Sequence, residues 1–164
     1  MSGRVVIIMG SKSDLDHVEG IRAQLDSWDI PYDLHVASAH KSVRHLLRLL
    51  QRYEEVEEPL VYITVAGRSN ALGGMVDANT VHPVITCPPI SSTFAGADIY
   101  SSLRMPSGVA PLVILAPEGA ALAAAKILAL SDGDLRDRLA QYQNMAQNKV
   151  LSADEEVRSS SERL

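Results

Sequence analysis

The tetrapeptide Ser38-Ala39-His40-Lys41 places a hydroxyl, an imidazole and an ammonium within four residues, directly after the strand-like run Tyr32 to Ala37. An imidazole passes protons at neutral pH, and a neighbouring ammonium holds an anion while favouring the neutral ring. A second group, Gly10-Ser11-Lys12-Ser13-Asp14, follows the apolar run Val5 to Met9 and opens a helical pattern. Amides at such a turn, with the Ser11 and Ser13 hydroxyls, suit a phosphate. Asp14 could accept hydrogen bonds from ribose hydroxyls, or Ser13 and Asp14 could serve only to cap the helix. The pattern is neither a Walker loop nor a G-x-G-x-x-G dinucleotide loop. The third group is Ala66 to Gly74. Glycines such as Gly67 let backbone approach a ligand closely, and Ser69 and Asn70 can bond a carboxylate or a ring edge. Arg68 is expected to have a definite partner, either an anionic substrate or a carboxylate such as Asp77.

Other reactive residue types read as structural. Cys87 is the only cysteine, which excludes an intramolecular disulfide and a cysteine-cluster metal site. With no base evident beside it in sequence, it reads as a buried small apolar residue rather than a nucleophile. His17, His35, His45 and His82 have no metal-ligand spacing and read as packing or surface residues. No metal site is expected, and no carboxylate pair is placed for glycosidase-type work. Ser102 to Gly108 reads as a turn able to close over a ligand.

The elements that must position these groups alternate along the chain. Strands are predicted at Val5–Met9, Tyr32–Ala37, Leu60–Val65, Pro83–Thr86 and Leu112–Leu115. Val5-Val6-Ile7-Ile8-Met9 is continuously apolar, as in a strand buried on both faces. Helical spacing recurs over Leu15 to Trp28, Val43 to Tyr53, 72–80, 118–130 and 133–149. Five strands alternating with helices predict a doubly wound parallel sheet in a three-layer αβα single domain, taken as residues 1–153. Residues 154–164 form a polar C-terminal tail, expected to fray. In such sheets ligands bind beyond the carboxyl ends of the strands, which is where the three groups fall.

Composition narrows the function. The 164 residues are 46% hydrophobic and 21% charged, as in an ordinary globular domain. A net charge of −5 without any Lys/Arg block argues against a nucleic-acid partner, and 4% aromatics argues against base stacking. The first apolar run is too short for a signal peptide and no segment suits a membrane span, so a cytoplasmic protein without membrane contact is expected. From Pro59 to Leu130 the only charged side chains are Arg68, Asp77, Asp98, Arg104, Glu118 and Lys126. Ala120 to Leu130 is apolar or small nearly all round, which predicts cover on more than one side and hence a homo-oligomer.

Six motifs in order carry a resemblance: Gly-Ser-Lys-Ser-Asp, Ser-Ala-His-Lys, Ala-Gly-Arg-Ser-Asn-x-Leu-Gly, Pro-Val-Ile-x-Cys-Pro-Pro, Ser-Ser-Leu-Arg-Met-Pro-Ser-Gly and Pro-Glu-Gly. From Val5 to about Leu130 the chain resembles the aminoimidazole ribonucleotide carboxylase family of purine biosynthesis. The resemblance implies a flavodoxin-like fold and a homo-octamer. It also implies carboxylation of 5-aminoimidazole ribonucleotide by carbon dioxide, with neither cofactor nor metal. Lys41, Ser107 and the absence of a histidine in the 67–73 loop resemble the class that carboxylates directly. The N5-carboxyaminoimidazole ribonucleotide mutases typically differ at all three. The chain has no room for the synthetase domain fused to animal members, so a free-standing enzyme is expected. Carried over, His40 would transfer the proton and Ser11, Ser13 and Asp14 would hold phosphate and ribose, with Lys41 as their cationic partner. Ser38, Gly67, Arg68, Ser69 and Asn70 would line the imidazole and carboxylate pocket. The rival readings are the mutase and, in another class, a flavodoxin-like nucleotide- or FMN-binding module. Scarce loop aromatics count against the latter.

Overall fold

The computed structural model describes residues 3–161; residues 1–2 and 162–164, at the edges of the expected domain and tail, lie outside the described residues. Five strands, β1 (Arg4–Met9), β2 (Tyr32–Val36), β3 (Leu60–Val65), β4 (Val84–Thr86) and β5 (Leu112–Val113), form one sheet in the order β2-β1-β3-β4-β5. Every adjacent pair is parallel. This order and the helices on both faces define the flavodoxin-like doubly wound arrangement expected from the sequence.

The unbroken apolar run of β1 follows from burial on both sides. Val5, Ile7 and Met9 face a core shared with α1 (Leu15–Asp26), α5 (Pro117–Leu128) and the first turns of α6 (Gly133–Ser161). Val6 and Ile8 face a second core with α2 (Val43–Glu54) and α3 (Ala71–Asp77). Strand period two thus divides one run between two layers, and each fully buried aliphatic contributes about 1.5–3 kcal/mol. Strand β5 is shorter than expected, because it lies at the sheet edge and pairs only with β4.

Two sequence expectations change. The apolar cover of α5 comes from its own chain: Ala120, Ala121, Ala124, Ala125 and Leu128 are buried in the α1–α5 core. At Gly20 of α1 an added Cβ would lie 2.9 Å from Pro117, so the glycine permits this close approach. The tail beyond Ala153 is polar and exposed, as expected, yet helical to Ser161. An Asp154–Arg158 pair at 3.9 Å, one turn apart, and the Ser159, Ser160 and Ser161 hydroxyls donating to carbonyls one turn back accompany this continuation. Leu135 and Leu139 anchor α6, and Tyr142 meets Trp28 edge-on at 5.2 Å; from Gln143 onward every described side chain is exposed. A short helix absent from the sequence reading, α4 (Tyr100–Leu103), precedes β5.

Candidate active site

Chain order reverses between β1 and β3, and the loops after β1, β2 and β3 meet there. They enclose a cleft of about 480 Å³ lined by Gly10, Ser11, Ser13, Asp14, Ser38 to Lys41, Ala66 to Ser69 and Leu72. That volume lies within the roughly 300–1,000 Å³ usual for small-molecule sites. Of the ten residues singled out in the sequence, only Asn70 is not part of the cleft wall.

The first loop is fixed by its own side chains. Gly10 N–H donates to the Val65 carbonyl at 2.8 Å, which ties the loop to β3. The Ser11 hydroxyl accepts from Ser13 N–H at 3.3 Å, and Asp14 Oδ2 accepts from Ser11 N–H at 2.9 Å, completing a capping box. The capping and ligand readings of this loop are therefore compatible: the cap sets the turn, and the same hydroxyls border the cleft. Burial pushes the Asp14 carboxyl above its ordinary value, against the opposing pull of Ser11 N–H and of His17.

In the second loop, Ser38 Oγ accepts from the N–H of His40 at 3.3 Å and of Lys41 at 3.2 Å. Ser38 N–H donates to Ser42 Oγ at 2.8 Å, and α2 begins at the next residue, Val43. The turn is thus self-supporting, and it leaves the His40 and Lys41 side chains exposed at the cleft without an ion-pair or hydrogen-bond partner among the described residues.

The third loop has a different construction. Gly67 passes so close to Pro89 that an added Cβ would lie 3.1 Å from its carbonyl oxygen. Arg68 adopts φ = 62°, a left-handed conformation that costs a residue with a side chain about 1–2 kcal/mol. Its guanidinium has no carboxylate within ion-pair distance among the described residues, and Asp77 instead accepts from Ala110 N–H at 2.7 Å. Of the two partners expected for Arg68, Asp77 is excluded. Asn70 is buried and caps α3, accepting from Gly73 N–H at 3.3 Å. Its amide nitrogen donates to the hydroxyls of Thr86 and Ser102. The sequence reading missed Asp98, whose Oδ2 accepts the N–H groups of Arg68 and Ser91. The available signal was its isolation as the only acidic residue between Asp77 and Glu118.

Three of the remaining four histidines make structural contacts, and His45 is exposed on α2. His35 Nε2 lies 2.8 Å from Tyr53 Oη, His82 packs edge-on against Tyr62, and His17 Nε2 lies 3.4 Å from Cys87 Sγ. Burial lowers the His17 pKa and pushes the Cys87 thiol up to about 12, Glu118 adding to the latter. Folded protein at pH 8 is expected to react with iodoacetamide about 10³-fold more slowly than a free cysteine, because so little thiolate is present. Unfolding in urea should restore the ordinary rate; rapid labelling of the native protein would show that Cys87 is an available nucleophile. Among the described residues no three His, Cys, Asp or Glu side chains are grouped to hold a metal ion, and no helix is long and apolar enough to cross a membrane.

Sheet order and cleft define a flavodoxin-like protein with a cleft of small-molecule size at its topological switch point. Comparison with known proteins sharpens this class: a family model described as AIR carboxylase matches residues 4–149. A phosphoribosylaminoimidazole carboxylase of Archaeoglobus fulgidus is 52% identical over 155 residues, 94% of this chain and 85% of that protein. One from Treponema denticola is 46% identical over 154 residues, 94% of this chain and 97% of the relative. The crystal structure of Treponema denticola PurE is similar with a TM-score of 0.92 at 45% identity, covering 94% of this chain and 98% of that one. The chain belongs to the AIR carboxylase family, and it is an enzyme of purine biosynthesis.

Proposed function

We propose that the enzyme carboxylates 5-aminoimidazole ribonucleotide with carbon dioxide, reversibly, giving 4-carboxy-5-aminoimidazole ribonucleotide. The observation that carries this reading is the convergence of three strand-end loops, bearing His40, Lys41, Ser11, Ser13, Asp14, Arg68 and Ser69, on one cleft. Aminoimidazole is an electron-rich enamine, so its C4 can attack carbon dioxide without ATP or biotin once the gas is held beside it. A bond forms between C4 and the carbon of carbon dioxide, and one C=O electron pair moves onto oxygen. C4 is then tetrahedral, with a proton and a carboxylate.

Neutral His40 removes that proton and the C–H electrons restore the aromatic ring; the reverse direction returns it. Ser11, Ser13, Asp14 and Lys41 hold the phosphoribosyl group, leaving the ring between His40 and the third loop. In that loop the amides of Arg68 and Asn70 already bond Asp98 and Ser101. The Gly67 and Ser69 amides have no acceptor among the described residues, which supports a role for them in stabilising the carboxylate. The protein's contribution is positioning, proton transfer and exclusion of water.

The enzyme works in the cytoplasm as a homo-oligomer, an octamer in this reading. Exposed apolar side chains at Ile90, Phe94, Tyr100, Leu103 and Leu112, and at Met145, Val150 and Val157 on α6, support association. One assay tests the reaction. Purified protein is given aminoimidazole ribonucleotide with bicarbonate and, separately, the N5-carboxylated isomer. Product from the first alone is expected; product only from the second would make the enzyme a mutase.

A further inference from the structure

We propose that Asp98 and Ser101, outside the cleft, are positioning residues for this reaction: they clamp the two peptides flanking Arg68 and thereby preset the neighbouring amides that receive the carboxylate. The inference rests on the carboxylation reading above.

The clamp grips Arg68 through the two peptides that flank it. Asp98 Oδ2 accepts from Arg68 N–H at 3.3 Å, while the Ser101 hydroxyl donates towards the Arg68 carbonyl at 3.3 Å. Ser101 Oγ also accepts from Asn70 N–H at 3.0 Å, and its single proton is shared with the nearer Asp98 carbonyl at 2.8 Å, so the two residues are tied to each other. A second amide, Ser91 N–H, reaches Asp98 Oδ2 at 3.2 Å and joins the segment after β4 to the same carboxylate. A carboxylate acceptor makes stronger bonds to amides than a neutral one. The arrangement alternates along the loop: amides 68 and 70 are committed to the clamp, whereas 67 and 69 have no acceptor among the described residues.

Two features mark the clamp as more than packing. The left-handed conformation at position 68 would be free of strain for glycine, yet the chain keeps an arginine there and restrains it with side chains. Holding these two peptides keeps Gly67, Arg68 and Ser69 on the same cleft wall. In addition, Asp98 Oδ1 is buried without any donor, so the side chain carries a desolvation cost that its two Oδ2 bonds to the Arg68 and Ser91 amides must offset.

The test compares Asp98→Ala, Asp98→Asn and Ser101→Ala with wild type. Asp98→Ala is expected to lower kcat for carboxylation about 10- to 100-fold, because the receiving amides lose their alignment. The KM for the nucleotide should change less than about threefold, since the loops at 10–14 and 38–41 are untouched. Asp98→Asn, whose side-chain carbonyl can accept both amides, should recover most of the rate. Wild-type kcat in folded Asp98→Ala, accompanied only by a lower Tm, would overturn the proposal. If Asp98→Ala does not fold, Ser101→Ala is judged by the same split between kcat and KM. Amide hydrogen exchange provides a readout independent of the reaction: residues 68 and 70 should exchange faster in Asp98→Ala. Unchanged protection there removes the clamp, whereas a wild-type enzyme inactive on aminoimidazole ribonucleotide with intact protection defeats the assigned reaction instead.

Discussion

Replacing His40 by asparagine is expected to reduce turnover in both directions by about 10²–10⁴-fold, the contribution typical of a positioned general acid or base. Asparagine has similar breadth and polarity but cannot take a proton from a ring carbon near neutral pH. The geometry makes the variant a clean probe. His40 is exposed, and its contact with the rest of the loop is through its backbone N–H to Ser38 Oγ, which any residue supplies. Removing the imidazole therefore leaves packing and the turn intact, so Tm should stay near the wild-type value. Calorimetric titration with aminoimidazole ribonucleotide should give a Kd within a few-fold of wild type, because the proposed phosphoribosyl contacts lie in the loop at 10–14 and at Lys41. Near-normal turnover in His40→Asn would remove His40 from the chemistry. Loss of nucleotide binding along with turnover would assign it to substrate holding.

The sequence was most legible where one physical rule dominated. Val5 to Met9 reads as a doubly buried strand because no polar residue interrupts it, and its alternate side chains do enter two cores. Strand ends could be located, and a parallel sheet brings ligands to those ends, so Ser11, His40 and Arg68 could be grouped before any geometry was known. What could not be read was which polar side chain in a loop faces the cleft and which faces the core. Ser69 and Asn70 are adjacent and chemically similar, yet one lines the cleft and the other is buried beneath it. The difference arises because α3 starts at Ala71 and requires a cap at residue 70. The Asp98 contact was hidden for another reason: it joins residues thirty positions apart, a separation that local spacing does not encode. The apolar α5 shows the converse limit. Composition revealed that it is covered, but only the fold shows that α1 and the sheet supply the cover.

The assignment of Asn70 to the core leads to the second large effect. Asn70→Ala should cost about 2–4 kcal/mol of stability, combining the loss of a helix cap with two buried hydroxyls that lose an amide donor. For a chain of this length that corresponds to a fall in Tm of about 5–15 °C, measurable by calorimetry. The buried partners set the magnitude. Thr86 and Ser102 are both buried, and the Asn70 amide is the group that bridges them. A ligand role predicts the opposite pattern: Tm near wild type with a large rise in nucleotide KM, which would return Asn70 to the cleft. The double variant Asn70→Ala/Thr86→Val separates the two costs. Removing donor and acceptor together leaves one fewer orphaned hydroxyl, so the pair should be less destabilised than the sum of the single variants. Additive losses would mean that the Asn70–Thr86 bond contributes nothing and that capping of α3 and the bond to Ser102 account for the effect.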